Sequence, residues 1–169
     1  IWEEIDLAAR VWTIPAERMK ASKAHRVPLS DAAIALLQEM KALALAAGRT
    51  SGKAYVFPSP NSRDPELGSQ LSDMTLTALL RRANAPSDTP GRIATAHGFR
   101  SSFRDWCSEQ GYARDLAERA LAHTVKDKVE AAYHRTDLLE QRRPMMQAWA
   151  DFVHPPAKKP KKDASPHDA

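Results

Sequence analysis

The stretch His97-Gly-Phe-Arg-Ser-Ser-Phe-Arg-Asp-Trp106 has the spacing of an amphipathic helix and guides the interpretation of the whole chain. At about 100° per residue, such a helix separates a basic set (His97, Arg100, Arg104) from an aromatic set (Phe99, Phe103, Trp106). The first basic residues stand at the helix N-terminus, where backbone N–H groups and the helix dipole favour an anion such as phosphate. We therefore predict one packed side and one phosphate-binding side. A basic side that is merely solvated is the alternative.

Around this stretch, the chain is predicted to be mainly helical. From Ala96 onward, helices are expected at about 98–110, ending at Gly111, and at about 113–122, 126–134 and 137–152. Earlier, Ser30 is predicted to cap a helix that ends at Gly48, and Ser72 to begin another that closes at 86–91.

Strands are predicted only in the N-terminal third. Two short segments, 9–14 and 26–29, flank a basic turn and are typical of a β-hairpin, and Tyr55-Val-Phe57 is predicted to be a third strand followed by a loop to about Gln70. The expected fold class is α+β, mainly α-helical, with a small hairpin or sheet near the N-terminus.

Composition sets limits on function without deciding it. The 169 residues suit one domain, and 25 Lys and Arg against 21 Asp and Glu favour a polyanionic partner only if the basic residues cluster. A single cysteine, Cys107, excludes an internal disulfide, and the spacing of the six histidines does not suit zinc, so no metal or other cofactor is expected. With neither a membrane-span pattern nor a signal-peptide pattern, we expect a soluble cytoplasmic protein.

Four further residues could carry chemistry, and each has a simpler structural explanation. His123 stands where the helix at 113–122 should end, so it could be only a partner of the helix dipole. Tyr133 falls on a short predicted helix and could be a packed aromatic residue. Lys20 and Lys23 lie in the basic turn, where lysines are ordinarily solvated.

The joint order of these motifs resembles the catalytic domain of tyrosine recombinases, the phage integrase family. The resemblance is greatest to integrases of satellite phages and genomic islands, and it covers about residues 1–153. The segments that carry it are Trp12-Thr-Ile-Pro-Ala-Glu-Arg-Met-Lys20, Val27-Pro-Leu-Ser30, Val56-Phe-Pro-Ser59, His97 to Trp106, Leu121-Ala-His123 and Ala131-Ala-Tyr133.

The resemblance implies a role for each candidate. Tyr133 would attack a DNA phosphate and form a 3′-phosphotyrosyl link, while Arg100 and His123 hold the nonbridging oxygens. Lys20 would protonate the leaving 5′ oxygen, with Lys23 as the second candidate for this role, and His97 would assist proton transfer. Lys23 and Arg104 are also candidates for contacts with DNA.

The resemblance further implies double-stranded attachment-site DNA as the partner and a homotetramer assembled on it. The C-terminal helix, with Met145, Trp149 and Phe152, is similar to a segment that docks on a neighbouring protomer. Packing of the same side chains on the protein's own core is the alternative.

The family also has a catalytic arginine, in Gly-x-Arg followed by Glu, which should precede Trp2, whereas residues 1–9 contain no arginine. We therefore expect residues 1–153 to be a partial catalytic domain that is inactive alone, and residues 154–169 to be a disordered basic tail. The alternatives are a noncatalytic DNA-binding remnant and a helical interaction domain. Type IB topoisomerases share the chemistry, but the local motifs are more similar to those of integrases.

Overall fold

The N-terminal part of the chain forms a small antiparallel sheet in the computed structural model, which describes residues 1–123 and 136–155. Its strands are β1 (Ile5–Asp6), β2 (Val11–Ile14) and β3 (His25–Pro28), in the order β1-β2-β3. The ladder between β2 and β3 pairs Ile14 with His25 and Val11 with Pro28, so the predicted hairpin is confirmed. Strand β1 was not predicted, because two residues are too short to show an alternating pattern.

The other main elements of the described chain are helices, as predicted, separated by irregular segments. The five α-helices within the described ranges are α1 (Asp31–Ala46), α2 (Thr75–Arg82), α3 (Gly98–Glu109), α4 (Arg114–Ala120) and α5 (Leu139–Val153). With the small sheet, they confirm the expected α+β class. The helix predicted at 126–134 and residues 156–169 of the predicted tail lie outside the described residues.

The helix ends follow from local sequence. The Ser30 hydroxyl accepts a hydrogen bond from the backbone N–H of Ala33 at 3.3 Å, which satisfies one of the donors left unpaired at the start of α1. Gly111 follows α3 with a φ of +75°, a left-handed conformation that glycine adopts without steric cost.

Two local predictions were wrong. Tyr55-Val-Phe57 is not a strand: the Tyr55 N–H donates to the Leu67 carbonyl at 2.9 Å and the Ser59 N–H to the Ser69 carbonyl at 2.8 Å, but these separate bonds do not form a ladder. Helix α2 begins at Thr75 rather than Ser72, because Ser72 forms a turn in which its carbonyl accepts from the Thr75 N–H at 2.9 Å.

The main core lies where α3, α4 and α5 meet. Its buried members are Phe103, Trp106, Cys107, Leu116, Ala117 and Met145. The Trp149 ring packs edge-on against Trp106, with ring centroids 5.2 Å apart. A second cluster of buried residues packs the inner face of α1 against the N-terminal segment and the loop after α1. It contains Trp2, Leu37, Ala44, Ala54 and Val56.

The aromatic side of α3 was only partly predicted. Phe103 and Trp106 are buried, but Phe99 is 54% exposed because it lies in the first turn, away from the core that α4 and α5 form around the later turns.

On α5, Met145 is completely buried, whereas Phe152 is 62% exposed although its ring centroid lies 5.9 Å from that of Trp106. Of the three α5 residues considered for docking on a neighbouring protomer, Met145 and Trp149 therefore pack on the chain's own core.

No helix in the described ranges is both long enough and apolar enough to cross a membrane.

Candidate active site

The start of α3 meets the end of α4 at Arg100. One terminal nitrogen of its guanidinium (Nη2) donates a hydrogen bond to the backbone carbonyl of Leu121 at 2.6 Å. Leu121 follows directly on α4 and stands two residues before His123. The structure thus places the Arg100 side chain against the end of α4, two residues before His123, the next site residue predicted from the sequence.

The His123 side chain is held by a carboxylate of α4, the helix that precedes it. Its Nδ1 forms a hydrogen bond with Oε2 of Glu118. The other oxygen of Glu118 lies 3.8 Å from Nε of Arg104 and 3.8 Å from Nε of Arg114. The hydrogen bond from His123 lowers the pKa of Glu118, and the two arginine charges act in the same direction. Arg104, predicted to contact DNA, therefore has an internal partner while remaining exposed on the surface.

The other predicted site residues are more isolated. His97 is exposed immediately before α3, and its ring has no hydrogen bond or ion pair with a described residue. Lys20 and Lys23 are exposed in the turn between β2 and β3, and neither amine has such a partner among residues 1–123 and 136–155. Tyr133 lies outside the described residues. The structure therefore places Arg100 against Leu121, two residues before His123, with His97 one turn before Arg100 and the two lysines on the hairpin.

His25 is a further candidate site residue, which the sequence analysis missed. It is half-buried at the start of β3, and burial lowers its pKa first, followed by the charge of Arg142. The charge of Arg100 acts in the same direction, while a hydrogen bond to the backbone of Ala120 raises the pKa. His25 therefore lies on the part of the hairpin that is near the start of α3 and the end of α4. In the structure, His25 and Val27 are more buried than Arg26, because alternate residues of a strand face opposite sides. The same alternation in the sequence, with His25 two residues before the apolar Val27, is the signal that could have identified it.

An ion-pair network joins the hairpin to the start of α5. Arg26 donates through Nε and Nη2 to the two carboxylate oxygens of Asp137, both at 2.7 Å. Oδ2 of Asp137, which accepts from Nε of Arg26, also lies 3.5 Å from Nη2 of Arg142, whose side chain is only 1% exposed. The Arg26 hydrogen bonds lower the pKa of Asp137, while burial lowers that of Arg142. The sequence analysis did not identify this network, because its partners are 111 positions apart.

Comparison with known proteins identifies the family of the chain. The family model described as "Phage integrase family" matches residues 1–139, and the chain belongs to this tyrosine recombinase family. The resemblance found in the sequence is therefore confirmed at the level of the family.

Curated relatives agree with this assignment. The chain is 44% identical to "Prophage integrase IntA" of Escherichia coli (strain K12), over 90% of this chain and 33% of the relative. It is 37% identical to "Prophage integrase IntZ" of the same strain, over 90% of this chain and 34% of the relative, and 32% identical to "Integrase" of Enterobacteria phage P4, over 90% and 35%. The chain thus spans about a third of the length of these relatives. No solved structure gives a significant match.

Proposed function

We propose that this chain supplies most of the active site of a site-specific DNA recombinase, which cuts and rejoins attachment-site DNA through a 3′-phosphotyrosyl intermediate. The observation that carries the proposal is the position of Arg100. Its guanidinium donates to the Leu121 carbonyl at the end of α4, two residues before His123, which supports a shared phosphate site for Arg100 and His123. Membership of the phage integrase family supports the same reaction class.

The reaction divides into two transesterifications. In the first, the Tyr133 oxygen forms a bond to the scissile phosphorus and the bond from phosphorus to the 5′ oxygen breaks. Lys20 gives a proton to that leaving oxygen, and His97 assists removal of the tyrosine proton. In the second, the 5′ hydroxyl of another strand attacks the phosphotyrosine and releases Tyr133. Because the phosphodiester energy is kept in the intermediate, the exchange needs no nucleotide cofactor.

Arg100 is suited to stabilise the charge that develops on phosphate. A guanidinium has five N–H donors in a planar fork, and the Leu121 carbonyl takes one of them. The remaining donors are available for nonbridging oxygens. Because the carbonyl fixes the group before DNA binds, little reorganisation is needed during the reaction. Loss of one such preorganised donor typically lowers the rate by about 10² to 10³.

The partner is double-stranded DNA at the attachment sites, and strand exchange between two sites would use four protomers. Lys23 and Arg104 are exposed and are proposed to contact phosphates outside the reacting centre. For such contacts, removal of each charge should weaken binding similarly on all sequences and should reduce the salt dependence by about one ion.

A hybrid recombinase allows the reaction to be tested. In the 44% identical relative, the matching third would be replaced by this chain, and the hybrid mixed with nicked suicide DNA that traps the covalent intermediate. We expect Arg100→Gln to slow adduct formation by about 10² to 10³ at saturating DNA. Arg63→Gln, at an exposed loop position, is the matched control and should leave the rate unchanged. Salt-dependent DNA binding by the hybrid without any adduct would instead support a noncatalytic DNA-binding protein.

A further inference from the structure

We propose that Asp137 is a positioning residue: through Arg26, it fixes the β2–β3 hairpin so that Lys20 reaches the leaving 5′ oxygen. This inference rests on the proposed recombination chemistry, in which Lys20 is the general acid. Asp137 itself touches no reacting atom in this account.

The contact between Asp137 and the hairpin has a geometry that fixes orientation. Two parallel N–H···O bonds, each 2.7 Å long, join the Arg26 guanidinium to the Asp137 carboxylate. A bidentate pair of this kind restricts rotation as well as distance, which a single lysine–carboxylate contact cannot do. Arg26 is the second residue of β3, so the restriction applies directly to the end of the hairpin connection.

The α5 side of the contact is also fixed. Oδ1 of Asp137 accepts a hydrogen bond from the N–H of Leu139 at 3.3 Å, which ties the carboxylate to the first residue of α5. Oδ2 lies 3.5 Å from the buried Arg142 guanidinium. Asp137 therefore anchors the hairpin to a helix whose Met145 is completely buried in the main core.

The proposed general acid depends on such an anchor. Lys20 lies six residues before Arg26, and its amine has no hydrogen bond or ion pair with any part of the chain that the structure describes. Its position is thus set by the backbone of the hairpin rather than by contacts of its own side chain. A displacement of about 1 Å in a reacting group can cost about 10²-fold in rate, so the anchor should matter to proton donation.

The first arm of the test uses the 169-residue chain without DNA. We expect Arg26→Gln and Asp137→Asn to increase amide hydrogen exchange in residues 19–25, while exchange in α3 is unchanged. Arg10→Gln is the matched control, because Arg10 also forms a long-range ion pair from this region, with Asp31, and has a side chain 41% exposed against 48% for Arg26. Unchanged exchange in the hairpin of both variants would overturn the anchor.

The second arm measures cleavage by the hybrid recombinase at saturating DNA. Arg26→Gln should slow cleavage of ordinary DNA by about 10- to 100-fold, with Arg26→Lys intermediate and Arg10→Gln unchanged. When the leaving 5′ oxygen is replaced by sulfur, the P–S bond breaks and a thiolate leaves without needing a proton, so the defect should largely disappear. In a Lys20→Ala background, Arg26→Gln should cause no further loss.

The outcomes separate the inference from the function on which it rests. A defect in Arg26→Gln that persists with the sulfur substrate, or that adds to Lys20→Ala, would show that the pair does not act through Lys20 and would overturn the inference while recombination stands. If the unaltered hybrid gives no adduct but hairpin exchange rises in both variants, the proposed function fails and the structural anchor stands.

Discussion

Met145→Ala is the substitution that most directly perturbs the core supporting the site. Met145 is 0% exposed, and its sulfur lies 3.8 Å from Sγ of Cys107. Truncation of a fully buried methionine costs about 2–5 kcal/mol, depending on how far the neighbours can collapse into the cavity. Here the neighbours are Phe103 and Trp106, rigid rings already packed against Trp149, so collapse should be limited. We therefore expect a loss of about 3 kcal/mol.

The assay is urea unfolding of the 169-residue chain followed by far-UV circular dichroism, with thermal unfolding as a second readout. For a chain of this size, about 3 kcal/mol corresponds to a Tm lower by roughly 6–12 °C. The matched control is Leu43→Ala on α1, where the side chain is 62% exposed and the change should stay within about 0.5 kcal/mol. A loss below about 1 kcal/mol for Met145→Ala would refute the packing described for α3, α4 and α5.

Three further predictions concern a helix cap, a thiol and an ion pair. Ser30→Ala should destabilise the chain by about 1 kcal/mol in the same urea assay, because the first turn of α1 loses the hydroxyl that accepts from Ala33. Burial raises the pKa of the Cys107 thiol to about 11, so a disulfide reagent at pH 8 should react slowly with the folded chain and rapidly in urea; equal rates would contradict its burial. Arg26 lowers the pKa of Asp137, so the stability from this pair is present above the ordinary carboxyl pKa of about 4 and is lost as the pH falls through the lowered value. Stability measured from pH 6 to pH 2 should accordingly fall less steeply in Asp137→Asn than in the unaltered chain.

Local signals in the sequence predicted those parts of the fold that local physics controls. The end of α3 at Gly111 follows from backbone conformation, and the start of α1 follows from the Ser30 hydroxyl. The hairpin could be predicted because β2 and β3 are close in sequence. By contrast, Tyr55-Val-Phe57 has the composition of a strand, but a strand also needs a partner ladder, which is a property of the tertiary structure.

In the candidate site, too, local features could be predicted from the sequence and tertiary contacts could not. His97 and Arg100 could be placed on one helix from their spacing, but the contact between Arg100 and the Leu121 carbonyl depends on how α3 packs on α4. The Arg26–Asp137 pair depends on the docking of α5 against the hairpin, and nothing local to either residue indicates the other. The chemical roles of all the candidate site residues, including Lys20 and Tyr133, stay predictions.

We propose that this chain supplies the nucleophile and the phosphate-binding groups of a DNA recombinase. The covalent adduct can be mapped by mass spectrometry of the hybrid recombinase after reaction with suicide DNA, which tests this proposal directly. We expect a nucleotide attached to Tyr133 and no adduct in Tyr133→Phe. An adduct at another residue, or one that persists in Tyr133→Phe, would contradict it.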